Sequence, residues 1–191
     1  MNKAIRWRII SLQAMLVVIL AATSGFLFYE GSFVTGMVRD ELVAQQISFP
    51  PTSEIKPGGA LDPAAFPAEI RQYAGQAVDN GDKAKVYAND FIGKHLQGVA
   101  GGLTYAQVSS QAQADPTDAK LQGQVATLFK GETLRSILLN AYGWWTIGVY
   151  TTYAGIGLMI AALGVLGALV LELFIAGRKI ESIRVVQKVA A

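Results

Sequence analysis

Positions 9–28 form an uncharged run of twenty residues, IISLQAMLVVILAATSGFLF. A membrane-spanning α-helix needs about 20 consecutive apolar residues to cross a hydrocarbon core of about 30 Å. Lys3, Arg6 and Arg8 precede the run. A basic start followed by an apolar run is also typical of a secretory signal peptide, but no A-x-A cleavage site follows and the run is long for a signal peptide. We therefore expect a retained first transmembrane helix at 9–28.

A second apolar segment occupies positions 144–177. Its 34 residues exceed what one crossing of the hydrocarbon core requires. Trp144, Trp145, Tyr150 and Tyr153 cluster at its start, and aromatic side chains of this kind are enriched where a helix meets the membrane–water interface. We expect a second transmembrane helix here, with a protruding N-terminal part whose four aromatic residues lie at the membrane interface.

The distribution of charge predicts the orientation of both spans. Positions 1–8 hold three Lys or Arg, and positions 178–191 hold four against one acid. The region between the spans, 29–143, holds nine Lys or Arg against twelve Asp or Glu. By the positive-inside rule, both terminal tails are cytoplasmic and the central region is extracytoplasmic. The sequence therefore predicts a protein of the cell (plasma) membrane.

Composition narrows the functional class. With 52% hydrophobic and 16% charged residues, the chain is too apolar for an ordinary soluble domain and too charged for a many-pass membrane protein. The formal net charge of +2 comes with cations gathered at the two ends, which argues against a nucleic-acid-binding protein. The absence of cysteine excludes a disulfide framework, a zinc–thiolate site and a thiol nucleophile.

The region between the spans is predicted to be helical. Apolar residues at helical spacing extend the first helix outward to about position 48, and five of the six prolines then form an irregular connector at 50–67. Asp82, Thr104 and Asp115 are the predicted N-caps of later helices. Because no period-two alternation demands a sheet, the expected fold class is an all-α membrane protein. Two transmembrane helices would form an antiparallel hairpin, with a helical extracytoplasmic domain between them.

Four segments carry a resemblance to a known family. They are VRDELVAQQISFPP, QYAGQAVDNGDKAKVYANDFIGKHL, GGLTYAQVS and LQGQVATLFKGETLRSILLNAYGWW. From about position 9 to 177 the chain resembles a family of uncharacterised two-span membrane proteins of actinobacteria and related Gram-positive or monoderm lineages. Some members carry the label "aromatic ring-opening dioxygenase", a chemistry that requires iron held by histidines and a carboxylate, and this chain has one histidine. The resemblance implies a fold outline and no catalytic residues.

The candidate catalytic and metal-binding residues are few. His95 is interpreted as a polar-face residue, with an acid–base role as the alternative. Asp79, Asp82 and Asp90 lack the alternating oxygen ligands and the terminal Glu of a calcium loop. Neither span contains a histidine to ligate a haem in the bilayer. We therefore expect no metal site, no cofactor and no enzymatic activity.

Small residues recur at helical spacing in both spans, and such rows let transmembrane helices approach closely. The two rows are therefore the predicted helix interface, packing on each other within the hairpin. They are Gly157, Ala161, Gly164 and Ala168 in the second span, and Ala14, Ala21 and Gly25 in the first.

Glu172 is a lone carboxylate inside the second span. It lies four residues after Ala168, so it continues the small-residue row and should face a helix. An unpaired charge at that depth is costly. Ser11 and Gln13 are at comparable depth in the first span and are the predicted partners; a cation on another subunit is the alternative. Replacing Glu172 by Leu should weaken assembly more than membrane insertion.

These patterns predict surfaces more clearly than chemistry. The leading hypothesis is a non-catalytic accessory or structural subunit of a larger bacterial membrane complex, respiratory, electron-transfer or transport, whose partners are other integral membrane subunits and lipids. The alternative is a membrane protein that binds a lipid or small hydrophobic molecule and acts alone. An enzyme comes third and would depend on His95.

Overall fold

The computed structural model describes the backbone of residues 3–189 and the side chains of residues 4–175. Within these residues the chain is all-α and contains no β-strand. Ser48 and Ala77 form an isolated antiparallel bridge. The α-helices are α1 (Lys3–Ala44), α2 (Ala68–Arg71), α3 (Gly81–Val86), α4 (Gly93–Val99), α5 (Tyr105–Ala114) and α6 (Ala119–Val189), together with a 3₁₀ turn (Thr52–Glu54) and a π-helical segment (Tyr87–Ile92).

Two of the helices are long and apolar enough to cross a membrane, by length and composition. They are found within Ala4–Ala44 and Ala119–Ile175, and 11% of the most apolar window of each is buried inside the chain. The core helix of a soluble protein would be mostly buried.

The predicted C-terminal tail at 178–191 lies outside the described side chains, and residues 1 and 2 of the predicted N-terminal tail lie outside the described residues.

The chain divides into two compact units. The terminal unit consists of Met1–Ser32 and Val149–Ala191, and the central unit is Phe33–Gly148. Helices α1 and α6 contribute residues to both units.

The ends of α1 and α6 differ from the sequence-based positions. Helix α1 ends at Ala44, four residues before the predicted position 48, and Gln46 follows with a φ of 54° in the left-handed region. Its amide donates to the carbonyl oxygen of Val43, which closes the helix end. Helix α6 begins at Ala119 and not directly after Asp115, so the prediction of Asp115 as its N-cap is wrong; the carboxylate of Asp118 accepts the amides of Lys120 and Leu121 instead.

The remaining predicted caps had mixed outcomes. Thr104 forms a capping box with Gln107 at the start of α5, as the sequence predicts. Helix α3 is capped by Asn80, whose side chain accepts the amide of Lys83 at 3.0 Å. The prediction of Asp82 as this cap is wrong, because Asp82 lies within the first turn of the helix.

The core of the central unit gathers apolar residues from most of its elements. Fully buried side chains come from the proline-rich connector and from the short segments that follow it. Partly buried aromatic residues pack around them. The buried residues are Val38, Leu42, Phe49, Leu61, Ile70, Val78, Ala84, Ala88 and Leu138.

The proline-rich connector is held by its own carboxylates. Glu54 accepts the amide of Ala60, and Asp62 accepts the amides of Gly58 at 2.7 Å and Ala64 at 2.8 Å. These bonds lower the pKa of Asp62, and the bond from Ala60 together with nearby Lys56 lowers that of Glu54. The connector is irregular, as its composition predicts, and it adopts one defined conformation that places Leu61 in the core.

Candidate functional site

The carboxylate of Glu172 is paired within the chain. Arg6 donates from Nε to Glu172 Oε1 at 2.9 Å and from Nη2 to the Glu172 carbonyl oxygen at 2.9 Å. The two side chains are 18% and 25% exposed, so most of each side chain is buried. The partner is Arg6 instead of the predicted Ser11 and Gln13, and Arg6 belongs to helix α1. Gln13 instead leaves its side-chain oxygen buried without a hydrogen-bond partner among the described residues.

A second polar contact joins the same two helices. The fully buried hydroxyl of Ser24 donates to the carbonyl oxygen of Gly155 at 2.8 Å. A Cβ atom at position 155 would lie 3.2 Å from the Ser24 carbonyl oxygen and 3.3 Å from the amide nitrogen of Phe28. The absence of a side chain at Gly155 therefore allows the two backbones to come this close.

The covered face of each helix in the terminal unit has a heptad-like spacing. We call this pair of covered faces the seam. Its residues are buried or half-buried, whereas most of their neighbours on the same helices are exposed. They are Arg6, Ile10, Gln13, Val17, Leu20 and Ser24 on α1, and Gly155, Leu158, Ala162, Val165, Leu169 and Glu172 on α6.

The prediction that the two small-residue rows pack on each other is wrong for this chain. All seven small residues are exposed, and a Cβ atom added at Gly25, Gly157 or Gly164 would meet nothing within 4 Å. Each row has the period of the seam but is shifted by one residue, about 100° around the helix. The seam buries larger side chains and satisfies two polar contacts, which explains why it is preferred. The exposed residues are Ala14, Ala21 and Gly25 on α1, and Gly157, Ala161, Gly164 and Ala168 on α6.

The four aromatic residues predicted at the membrane interface differ in their surroundings. Trp144, Tyr150 and Tyr153 are exposed. Trp145 is half-buried in the central unit, and a Cβ atom added at Gly81 would overlap its side chain. Trp145 is therefore a packing residue that requires glycine at position 81.

The central unit contains an apolar cavity of about 400 Å³. Six of its eight lining residues are aliphatic, and Gln45 and Tyr87 provide the polar side chains. Burial raises the pKa of the Tyr87 hydroxyl, so it is protonated at neutral pH. The ring of Tyr87 is fixed between Phe49 and Phe91, with centroids 5.2 and 4.9 Å away. The lining residues are Leu42, Gln45, Ile47, Tyr87, Ile92, Leu134, Ile137 and Leu138.

Sequence reasoning did not find this cavity. Its lining comes from the end of α1, the segment after it, the π-helical segment and α6, which are far apart in the chain. The one local signal is the helical spacing of Leu134, Ile137 and Leu138. That spacing also fits ordinary core packing, so it does not identify a cavity.

Arg135 holds the π-helical segment in place. Its Nε donates to the carbonyl oxygen of Ala88 at 3.0 Å and its Nη2 to Asn89 Oδ1 at 3.2 Å, while Nη1 pairs with Glu132. The Ala88 carbonyl also accepts the amide of Gly93 within the segment. Because Tyr87 and Ile92 lie at the two ends of this segment, Arg135 positions two walls of the cavity.

The residues considered for catalysis or metal binding have structural surroundings. His95 Nδ1 lies 2.9 Å from the carbonyl oxygen of Phe91, and its exposed ring contacts those of Phe91 and Phe66. Asp79 pairs with Lys83 at 3.0 Å. Burial, reinforced by Glu69, raises the pKa of Asp90. Among the described residues, no group of three or more His, Asp or Glu side chains could hold a metal ion.

No family model matches the chain, and neither a curated protein nor a solved structure shows significant similarity to it.

Proposed function

We propose that this chain is a non-catalytic accessory or structural subunit of a larger bacterial membrane protein complex, respiratory, electron-transfer or transport. Its two apolar helices would cross the membrane as an antiparallel hairpin, with both termini cytoplasmic and residues 29–143 extracytoplasmic. This outline is also what the resemblance to a family of two-span membrane proteins implies. The partners would be other integral membrane subunits and lipids.

Two contacts support the hairpin. Arg6 near the start of α1 pairs with Glu172, late in α6, and Ser24 further along α1 pairs with the earlier Gly155. Contacts that run in opposite order along two helices fit an antiparallel arrangement. The charge distribution supports the orientation, since the basic residues concentrate at 1–8 and 178–191.

One observation carries the accessory-subunit proposal: no residue that the structure describes covers the small-residue faces of the two helices. In lipid, helices associate by close packing, and small residues are the ones that permit it. The row at Gly157, Ala161, Gly164 and Ala168 would let the backbone of a partner helix approach closely. The contact between α1 and α6 does not involve this row.

Purification in mild detergent through an affinity tag at the C-terminus tests the proposal. We expect one or more integral membrane proteins to co-purify in fixed stoichiometry. Replacing Gly157 and Gly164 together by Leu should abolish co-purification without changing the expression level, because a Cβ atom at either position would meet no described atom within 4 Å. Recovery of the unmodified protein only as a lone monomer would refute the proposal.

The second candidate function is a protein that binds a lipid or small hydrophobic molecule and acts alone. The cavity beside Tyr87 is the observation that favours it. Ligand pockets are concave, mostly apolar and carry a few polar groups that orient the ligand. Native mass spectrometry that detects a co-purified lipid and no protein partner would select this function over the first.

A further inference from the structure

We propose that the cavity of the central unit binds a neutral single-chain amphiphile, a hydrocarbon chain that ends in hydroxyl or ester groups. The chain would lie against the aliphatic lining residues, and the polar end would hydrogen-bond with Gln45 and Tyr87. This inference names the ligand class for the second candidate function and rests on the ligand binding in that function, not on the protein acting alone. It holds equally if the protein also has membrane partners.

The aliphatic wall has the size and exposure of a ligand site. A volume of about 400 Å³ lies at the lower end of the range typical of small-molecule sites. Leu134 and Ile137 on α6 are 52% and 54% exposed although they line a concave surface. Covering aliphatic side chains of this size with hydrocarbon is favourable. A single hydrocarbon chain fits the volume and the chemistry of this wall.

The polar end of the cavity offers two accessible hydrogen-bonding side chains. Gln45 is exposed and Tyr87 is half-buried, and both line the cavity. Gln45 supplies two donors and an acceptor, and the hydroxyl of Tyr87 both donates and accepts. Hydroxyl and ester oxygens complement both groups.

The absence of charge along the lining selects a neutral ligand. Tyr87 is the one ionisable residue among the eight that line the cavity, and its raised pKa keeps it uncharged. Two basic residues close to the cavity elements in sequence have partners: Lys85, just before the π-helical segment, lies over the ring of Tyr142 at 4.8 Å, and Arg135 on α6 pairs with Glu132. A fatty acid carboxylate would find no cation among the lining residues, and burying it unpaired would be costly.

The π-helical segment is a second, independent sign of a functional site. Such segments are rare, less favourable than α-helix, and frequent at functional sites. Here the segment turns Tyr87 and Ile92 toward the same cavity, and Arg135 secures its carbonyl groups.

Photo-crosslinking tests the proposal directly. The full chain, reconstituted in nanodiscs of phosphatidylethanolamine and phosphatidylglycerol, is irradiated with a monoacylglycerol whose twelve-carbon chain carries a diazirine. A fatty acid with the same diazirine chain is the charged comparison. We expect labelled peptides to contain residues 87–92 or 134–138, and the monoacylglycerol to label them more than the fatty acid. Equal labelling by both probes would refute a preference for neutral ligands, and labelling confined to positions 9–28 and 149–175 would refute the site.

Three variants sharpen the test. Ile137→Trp fills the cavity from an exposed position and should lower site labelling about tenfold. Met37→Trp introduces the same side chain at an exposed position of α1 that does not line the cavity, and labelling should persist. Tyr87→Phe removes one hydrogen bond and should weaken binding of the monoacylglycerol about fivefold.

Circular dichroism verifies that each variant is folded, and Leu134→Trp replaces Ile137→Trp if the latter is not. Undiminished labelling in the cavity-filling variant overturns the proposal. If the site is labelled but the purified protein always carries partner subunits, the ligand inference stands and the function of acting alone fails.

Discussion

Arg6 binds Glu172 twice, once at the carboxylate and once at the backbone carbonyl oxygen, both at 2.9 Å. The pair lies at one end of the seam with about a fifth of each side chain exposed. Removing one member leaves the other charge largely buried without its partner, whereas removing both leaves an apolar contact. The pair is therefore suited to a test by single and double substitution.

We expect Glu172→Leu or Arg6→Leu alone to destabilise the pairing of the two helices by about 1–3 kcal/mol, after allowance for partial exposure. The double variant Arg6→Leu/Glu172→Leu should recover most of that loss. Helix pairing is measured as the yield of a disulfide between cysteines engineered at Ser24 and Gly155. Equal losses in the single and double variants would mean that the pair contributes no coupling.

The chain contains no cysteine, so an engineered pair reports helix contacts without background. Ser24→Cys with Gly155→Cys should form a disulfide, since the two backbones approach closely at these positions and a separation of a few tenths of an ångström makes room for the added Cβ atom. Gly25→Cys with Gly157→Cys, each one or two residues away on the exposed faces, should not. Non-reducing electrophoresis of membranes after mild oxidation distinguishes the two pairs. Preferential cross-linking of the second pair would restore the small-residue rows as the intramolecular interface.

Glycines on α6 and α3 provide a matched test of packing in the central unit. A Cβ atom at Gly131 would overlap the side chain of Leu96, and one at Gly81 would overlap Trp145. We expect Gly131→Ala and Gly81→Ala each to lower the free energy of unfolding by about 1–3 kcal/mol. Gly123→Ala, also on α6 but without any neighbour within 4 Å, should instead stabilise by up to about 1 kcal/mol. Chemical denaturation followed by circular dichroism checks all three.

Arg135 should stabilise the π-helical segment mainly through its hydrogen bonds to that segment and only slightly through its ion pair with Glu132. Arg135→Leu removes the donors to Ala88 and Asn89, and we expect a loss of about 2 kcal/mol together with faster hydrogen exchange at residues 87–92. Glu132→Gln disrupts only the exposed ion pair and should cost at most about 0.5 kcal/mol. Similar effects of the two substitutions would show that the segment does not depend on Arg135.

The connector carboxylates predict a pH dependence. Because the pKa of Asp62 is lowered in the folded state, its contribution to stability is present above its ordinary pKa of 3.8 and is lost as pH falls through the lower folded value. Asp62→Asn should therefore be less stable than the unmodified protein at pH 7, and the difference should shrink below about pH 4. Thermal unfolding at both pH values measures it. A difference that stays constant with pH would exclude the carboxylate as its source.

The sequence indicates which segments are apolar and at what spacing their small residues recur. It does not indicate which face of each helix is turned toward the other helix. The apolar runs at 9–28 and 144–177 fall within the two long helices, and the small-residue rows have the correct spacing. In a span that is apolar all round, adjacent faces have nearly the same hydrophobicity, so pattern alone does not select between Ala161 and the neighbouring Ala162. Which face is covered depends on the hydrogen bonds that Arg6 and Ser24 make with α6. These bonds exist only when the two helices are packed together.

In the central region, the sequence predicted a helix N-cap correctly where the capping residues lie close together in the chain. Thr104 and Gln107 form their capping box from residues three apart, and the prediction of Thr104 was correct. Asp82 and Asp115 failed because a second polar residue nearby, Asn80 or Asp118, is the actual cap. The cavity was beyond sequence reasoning, since it arises from the long-range packing of α1, the π-helical segment and α6.

The two polar contacts of the seam also fix how far one helix can slide along the other. Arg6 and Ser24 are 18 residues apart on α1, and Gly155 and Glu172 are 17 apart on α6, separations of about 26 Å along each axis. A displacement by a single helical turn, about 5.4 Å, would preserve much of the aliphatic packing but break both contacts at once. The helix pair therefore has one preferred register.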